Sequence, residues 1–139
     1  MVDQNCAYCM EGELVAKFGI KICELETSKV YLFKEQSHPG RCIVAHKKHV
    51  GDMNELTAEE RAAYFEDVAR VARAIMKAFN PDKVNYGAYG DTGHHLHFHL
   101  CPKYKDEYEW GGVFLMNPDK KYLTDEEYVA MIEKIKANL

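Results

Sequence analysis

The chain has 139 residues, 47% apolar and 29% charged, with a formal net charge of −4 at pH 7. This length fits one domain, and the composition is that of a globular protein able to bury a core. The mildly acidic balance gives no global attraction to nucleic acid or to an anionic membrane, and no stretch approaches the ~20 apolar residues of a bilayer span.

Residues 1–17 are mixed, lack the basic and apolar regions of a secretory signal, and carry Cys6 and Cys9. FGIKICELETSKVYLFK, 18–34, reads as two strands joined by a tight turn near Glu26–Lys29. SHPGR, 37–41, is a turn, and CIVAH, 42–46, a short apolar strand. The spacing predicts a helix over 57–79, opened by a Thr57/Glu60 capping box and closed by Asn80-Pro81. Its apolar face recurs at three and four residues through Phe65, Val68, Ala72, Ile75 and Phe79. Strands follow over 84–90 and 95–101, then a Gly-containing stretch over 109–121. A second capping box, Thr124/Glu127, opens a C-terminal helix to about residue 138. This order indicates an α+β domain with a largely antiparallel sheet.

GHHLHFHLCPKY, 93–104, holds four of the seven histidines. His95, His97 and His99 alternate with Leu96, Phe98 and Leu100, so a strand would put three imidazoles on one face and three apolar groups on the other. Solvated decoration is a poor account of that pattern, and two chemical readings stay open. Alternate imidazoles can bind a metal. Alternatively, the central ring is a nucleophile whose neighbours orient it. Same-face strand neighbours lie ~6.7 Å apart, too far for three in a row to meet one ion easily.

Cys6-Ala7-Tyr8-Cys9 has zinc-knuckle spacing, but two thiolates are half of a four-ligand structural site. A redox pair and two free thiols are the alternatives, and no helix clearly follows Cys9 in a thioredoxin-like setting. Five cysteines, an odd number, argue against a closed disulfide framework and for a reducing, cytoplasmic setting. Cys23, Cys42 and Cys101 lie in apolar strand patterns and read as small core residues.

The run His95-Leu96-His97-Phe98-His99-Leu100-Cys101 resembles the signature of the histidine triad (HIT) family. The strand pair, Pro39-Gly40 before an apolar strand, Lys47-Lys48-His49, the long helix and the Asn85/Gly87 strand stand in the family's order. The resemblance covers about residues 6–104 and leaves 105–139 as a C-terminal extension of a single domain, 1–139. It implies a HIT-like α+β fold: an antiparallel sheet of about five strands, one long helix and a C-terminal helix, usually in a homodimer. It also implies a nucleotide hydrolase or transferase that cleaves at the α-phosphate of dinucleoside polyphosphates or nucleoside phosphoramidates. In that chemistry His97 attacks phosphorus and carries the nucleotidyl group, and His99 orients it and contacts phosphate. Several similar proteins bind structural zinc beside the triad, and the matching ligands here are Cys6, Cys9, His49 and His95. His49 rather than His46 is the match, because it precedes the descent into the long helix.

The chain departs from the family pattern at two places. Arg41 stands where many members have a histidine after the Pro-Gly turn; it offers a bidentate phosphate contact but cannot copy a neutral imidazole. The loop before the triad is short, leaving Asp91, Thr92 and His94 in place of the usual side-chain donors. Glu35 or Gln36 stands where the family contacts the ribose hydroxyls, although an ordinary polar turn has the same sequence. Phe18, Ile22 and Leu32 are candidates to cover the base, or are core. Tyr108, Trp110 and Phe114 either close over a substrate, complete a dimer, or pack as a tail on their own sheet. The expected partner is a nucleotide, with no nucleic acid and no membrane. The alternative to an enzyme is a non-catalytic nucleotide-binding protein on the same fold.

Overall fold

The structure, a computed structural model, describes residues 2–139. β1 (Gly19–Glu24) and β2 (Ser28–Phe33) form the expected hairpin. β3 (Cys42–His46) pairs with β2, and β5 (His97–Lys103) with β3. β4 (Lys83–Gly87) closes the far edge against β5. All neighbours are antiparallel, in the order β1-β2-β3-β5-β4.

The period of two divides the residues between two faces. Val30, Leu32, Val44, Phe98 and Leu100 point to one side, where Tyr64, Val68, Val71 and Ile75 of the long helix complete the main core. That helix spans Ala58–Phe79 and has the Thr57/Glu60 capping box. Its Asp67 accepts from Thr27 N, Thr27 Oγ1 and Ser28 Oγ, fastening the helix to the β1–β2 turn. The C-terminal helix, Asp125–Lys136, is opened by the Thr124/Glu127 box and sends Tyr128 and Ile135 into the same core. In chain order these two helices are α3 and α4.

Tyr31, Phe33, Ile43 and Ala45 point to the other side and form a smaller cluster with Tyr8 and Val15. Tyr8 and Val15 belong to α1 (Ala7–Met10) and α2 (Gly12–Ala16). Periodicity could not announce helices of four and five residues. β5 begins at His97 rather than 95, and β4 ends at Gly87 rather than 90. Residues 104–124 carry no helix or strand and run as a strap from β5 to α4. Cys42 and Cys101 are buried and Cys23 is half-buried. Among the described residues no helix is long and apolar enough to cross a membrane.

Candidate active site

His97 and His99 project from β5 on the face opposite α3, opposite Ala45 and Ile43 of β3, with ring centroids 5.3 Å apart. Their hydrogen bonds assign them opposite tautomers. His97 Nδ1 lies 2.7 Å from the His95 carbonyl oxygen, an acceptor, so Nδ1 carries the proton and Nε2 keeps its lone pair. His99 Nδ1 lies 3.0 Å from an Arg41 guanidinium nitrogen, a donor, so here the proton is on Nε2. Burial holds both rings below the ordinary imidazole range; for His99, burial and then the Arg41 charge push it down to about 2. Both are therefore neutral near pH 7. Among the described residues, the buried side-chain atoms without a partner are Arg41 Nε and His46 Nε2. The Nε2 atoms of His97 and His99 bond to no described residue, and the two residues are 7% and 3% exposed.

His95 does not continue the row. Its Nε2 donates to the His46 carbonyl at 2.7 Å, which leaves Nδ1 as a lone pair turned toward the N-terminus. That Nδ1 lies 3.3 Å from Cys6 Sγ, 3.7 Å from Cys9 Sγ and 3.0 Å from His49 Nδ1, and Cys9 Sγ lies 3.3 Å from His49 Nδ1. All four ligand atoms fall within 4.8 Å of one another. A tetrahedron with metal–nitrogen bonds of about 2.0 Å and metal–sulfur bonds of about 2.3 Å has edges of about 3.3–3.8 Å, close to these separations. The second nitrogen of His49 faces the Asp3 carboxylate at 3.9 Å. The donor set and its outer partners thus fit a possible metal site. Neither His97 nor His99 joins this cluster. His46, three residues before His49, instead lies against Tyr64 on the core side.

Arg41 is fully buried. Its guanidinium sits 4.2 Å from the Phe33 ring centre and 4.8 Å from that of Phe114. It donates to His99 Nδ1, to Leu115 O at 3.0 Å and to Met116 O at 2.9 Å, an imidazole and two carbonyls rather than a carboxylate. Both outer nitrogens of Arg41, the residue expected to offer a phosphate contact, are engaged inside the protein. Phe114 reaches the site because Gly87, opposite His99 on β4, carries no side chain; a Cβ there would lie 2.8 Å from the Phe114 ring.

The turn residues expected at the ribose are also engaged internally. The Gln36 side chain donates to Phe33 O and Arg41 O and accepts from Gly40 N, bracing the Pro39-Gly40 turn. The Glu35 carboxylate accepts from Ser37 and from the backbone N–H of Lys120 and Lys121, fastening the strap. These bonds hold it below the usual carboxylate range against the opposing effect of its burial. Asp91, Thr92 and His94 are exposed on the loop before β5, with His94 packed on Gly51. Of the three candidates to cover a base, Ile22 and Leu32 belong to the opposite core, while Phe18 packs beside Tyr8 on the site face.

Sequence reasoning missed Tyr8. Its ring lies 4.9 Å from that of His97 and 5.3 Å from that of His95, so one of the two residues between the cysteines packs on the first two histidines of the row. Its position inside Cys-x-x-Cys was the one available signal. Phe114 was named only as one of three aromatic groups without a fixed place; it is buried, Tyr108 lies on the His38 ring, and Trp110 is exposed.

The chain matches the HIT domain family over residues 19–106. It is 26% identical to the adenosine 5'-monophosphoramidase hnt1 of Schizosaccharomyces pombe, across 97% of this chain and 98% of that one. It is 28% identical to the bis(5'-adenosyl)-triphosphatase of Dictyostelium discoideum, across 51% of each. A histidine triad protein of Sinorhizobium meliloti has the same fold, with a TM-score of 0.84 and 24% identity over 92% of this chain and 95% of that one. The family match spans the hairpin, the Arg41 turn, the long helix and the alternating histidines just described, and the chain belongs to the HIT domain family.

Proposed function

We propose that this protein is a nucleotide hydrolase or transferase that cleaves at the α-phosphate of nucleoside phosphoramidates or dinucleoside polyphosphates through a nucleotidyl-His97 intermediate. The carrying observation is the tautomer of His97: Nδ1 is held by the His95 carbonyl, and the Nε2 lone pair is free of any bond to the described residues. In the first step Nε2 attacks the α-phosphorus, a P–N bond forms, and the bond to the leaving amine or phosphate breaks, with the leaving group taking up a proton. The charge that develops on the ring is shared with the His95 carbonyl through Nδ1–H. In the second step water or another acceptor displaces the nucleotidyl group and restores the free ring. Relatives named as a monophosphoramidase and a triphosphatase support this substrate class.

The same reading takes zinc as the metal of the Cys6, Cys9, His49 and His95 cluster, with a structural role, since all four positions of a tetrahedron come from the protein. Bound there, it would pin α1, and with it Tyr8, beside His97. The reading also treats residues 1–139 as one domain in which 105–139 completes the site. It adds a homodimer joined at the open edge of β4, where Tyr86 and Met76 are exposed, and a reducing, cytoplasmic setting suited to five free cysteines.

One observation favours a second reading, a nucleotide-binding protein without turnover: Tyr8 lies over His97, a residue only 7% exposed. Rapid-quench intact-protein mass spectrometry separates the two. Wild type and His97→Ala are mixed with an adenosine phosphoramidate and, separately, with diadenosine tetraphosphate. The enzyme reading expects a gain of one adenylyl group in wild type alone, together with released AMP. Nucleotide binding with neither adduct nor product establishes the second reading.

A further inference from the structure

The geometry points to Arg41 as a positioning residue that acts through His99: it fixes His99 as a neutral Nε2–H donor facing the phosphoryl site and ties that state to docking of the 109–116 strap. The inference rests on the proposed phosphoryl chemistry for its kinetic effect but not for its structural content.

The two rings on one strand face need different protons for different work. A nucleophile needs a bare Nε2, whereas a group that steadies charge on a phosphoryl oxygen needs Nε2–H. Backbone geometry alone does not set this difference. His97 takes its tautomer from a carbonyl two residues back on its own strand. His99 Nδ1 instead meets an Arg41 guanidinium nitrogen, a donor, across 58 residues of sequence. A donor at Nδ1 forbids a proton there and forces it to Nε2.

Arg41 cannot swing away to do anything else. Its planar head lies between the Phe33 and Phe114 rings, and its other bonds end on Leu115 O and Met116 O. A buried cation without a carboxylate partner is costly, so this placement needs a compensating contact. The strap supplies it with two carbonyl dipoles and one aromatic face. The strap is itself moored by Glu35 to Lys120 N and Lys121 N, by Gln36 N to Lys121 O, and by Lys103 Nζ to Glu109 O and Gly112 O. Docking of the strap and the protonation pattern of the site are therefore one arrangement. With the strap displaced, the guanidinium loses its carbonyl acceptors and becomes free to leave His99.

The test uses the full chain labelled with ¹⁵N at histidine, in wild type, Arg41→Lys and Arg41→Met, with long-range ¹H–¹⁵N spectra that distinguish Nε2–H from Nδ1–H imidazole. Wild-type His99 is expected in the Nε2–H form and His97 in the Nδ1–H form. In Arg41→Met, His99 becomes a mixture while His97 keeps its tautomer, and kcat falls by about 10²-fold, the scale for losing one transition-state donor. KM changes less than kcat, since Arg41 does not touch substrate. Arg41→Lys, a single-point donor, lies between the two. Phe114→Ala loosens the strap but leaves the guanidinium, and is expected to shift His99 partway. An Nδ1–H His99 in wild type overturns the inference before any variant is made. A kcat loss with the His99 tautomer intact in a folded Arg41 variant overturns it as well. His97→Ala kept beside these variants separates the two ideas: full activity there removes the phosphoryl chemistry, while the His99 spectra still report on Arg41.

Discussion

At its N-terminal end the histidine row is gripped through His95, whose free nitrogen faces two thiols and a second imidazole. At its C-terminal end it is gripped through His99 by a guanidinium held between two phenyl rings and two backbone carbonyls. The first grip is made of groups that could hold a metal ion. The second is made of burial and main-chain dipoles and yields only to mutation. His97 sits between them, so the same ring tests whether the two grips are independent.

The largest expected effect lies at that midpoint. His97→Ala should reduce release of AMP from an adenosine phosphoramidate by roughly three orders of magnitude or more, the scale for removing a nucleophile. Residual turnover near the wild-type rate would leave both grips without a catalytic purpose.

Next comes the metal end. Replacing Cys6 and Cys9 together by Ser should remove bound zinc, measured by elemental analysis, and lower Tm by more than about 5 °C. Unchanged metal content would mean that these thiols are not ligands. An unchanged His99 tautomer in the same variant would show that the far grip stands alone.

Acid separates the ends further. Burial lowers His38 and His99 below the ordinary imidazole value near 6.5, His99 to about 2. Below pH 6.5 the unfolded chain takes up protons that the folded chain refuses, so stability falls as pH falls toward the folded values. The urea midpoint of metal-free protein should be lower at pH 5 than at pH 7; an equal midpoint would contradict neutral, buried rings. Working without metal removes the separate effect of protonating its ligands.

The smallest change is expected at Glu35→Gln. The amide keeps an acceptor oxygen but loses the charge that strengthens the bonds from Ser37, Lys120 and Lys121, for a cost of about 1–2 kcal/mol in urea unfolding. Affinity for AMP should hardly move, because the carboxylate faces the strap. A large selective loss of AMP affinity would return Glu35 to the ribose.

Local patterns made much of this legible in advance. The 3.6-residue apolar period and the capping boxes marked α3 and α4, and alternation marked the face that His97 and His99 share. The fold class and family followed from those elements and the triad. The Arg41 end was not legible. Arg41 meets Leu115 and Met116 over separations of 74 and 75 residues, and Glu35 meets Lys120 and Lys121 over 85 and 86. No periodicity encodes such a meeting, and charged residues after a turn read naturally as ligand contacts. Ile22 and Leu32, left open between the base and the core, lie in the core; a strand pattern gives alternation but not which side receives the helix.

Much of the strap's fastening comes from main-chain atoms, Leu115 O, Met116 O, Lys120 N, Lys121 N, Glu109 O and Gly112 O, beside the side chains of Tyr104, Glu109 and Phe114. Val113 and Leu115, 84% and 56% exposed, contribute no side-chain bond to that fastening. A substitution that changes only these exposed side chains leaves in place the two carbonyl oxygens on which the guanidinium rests.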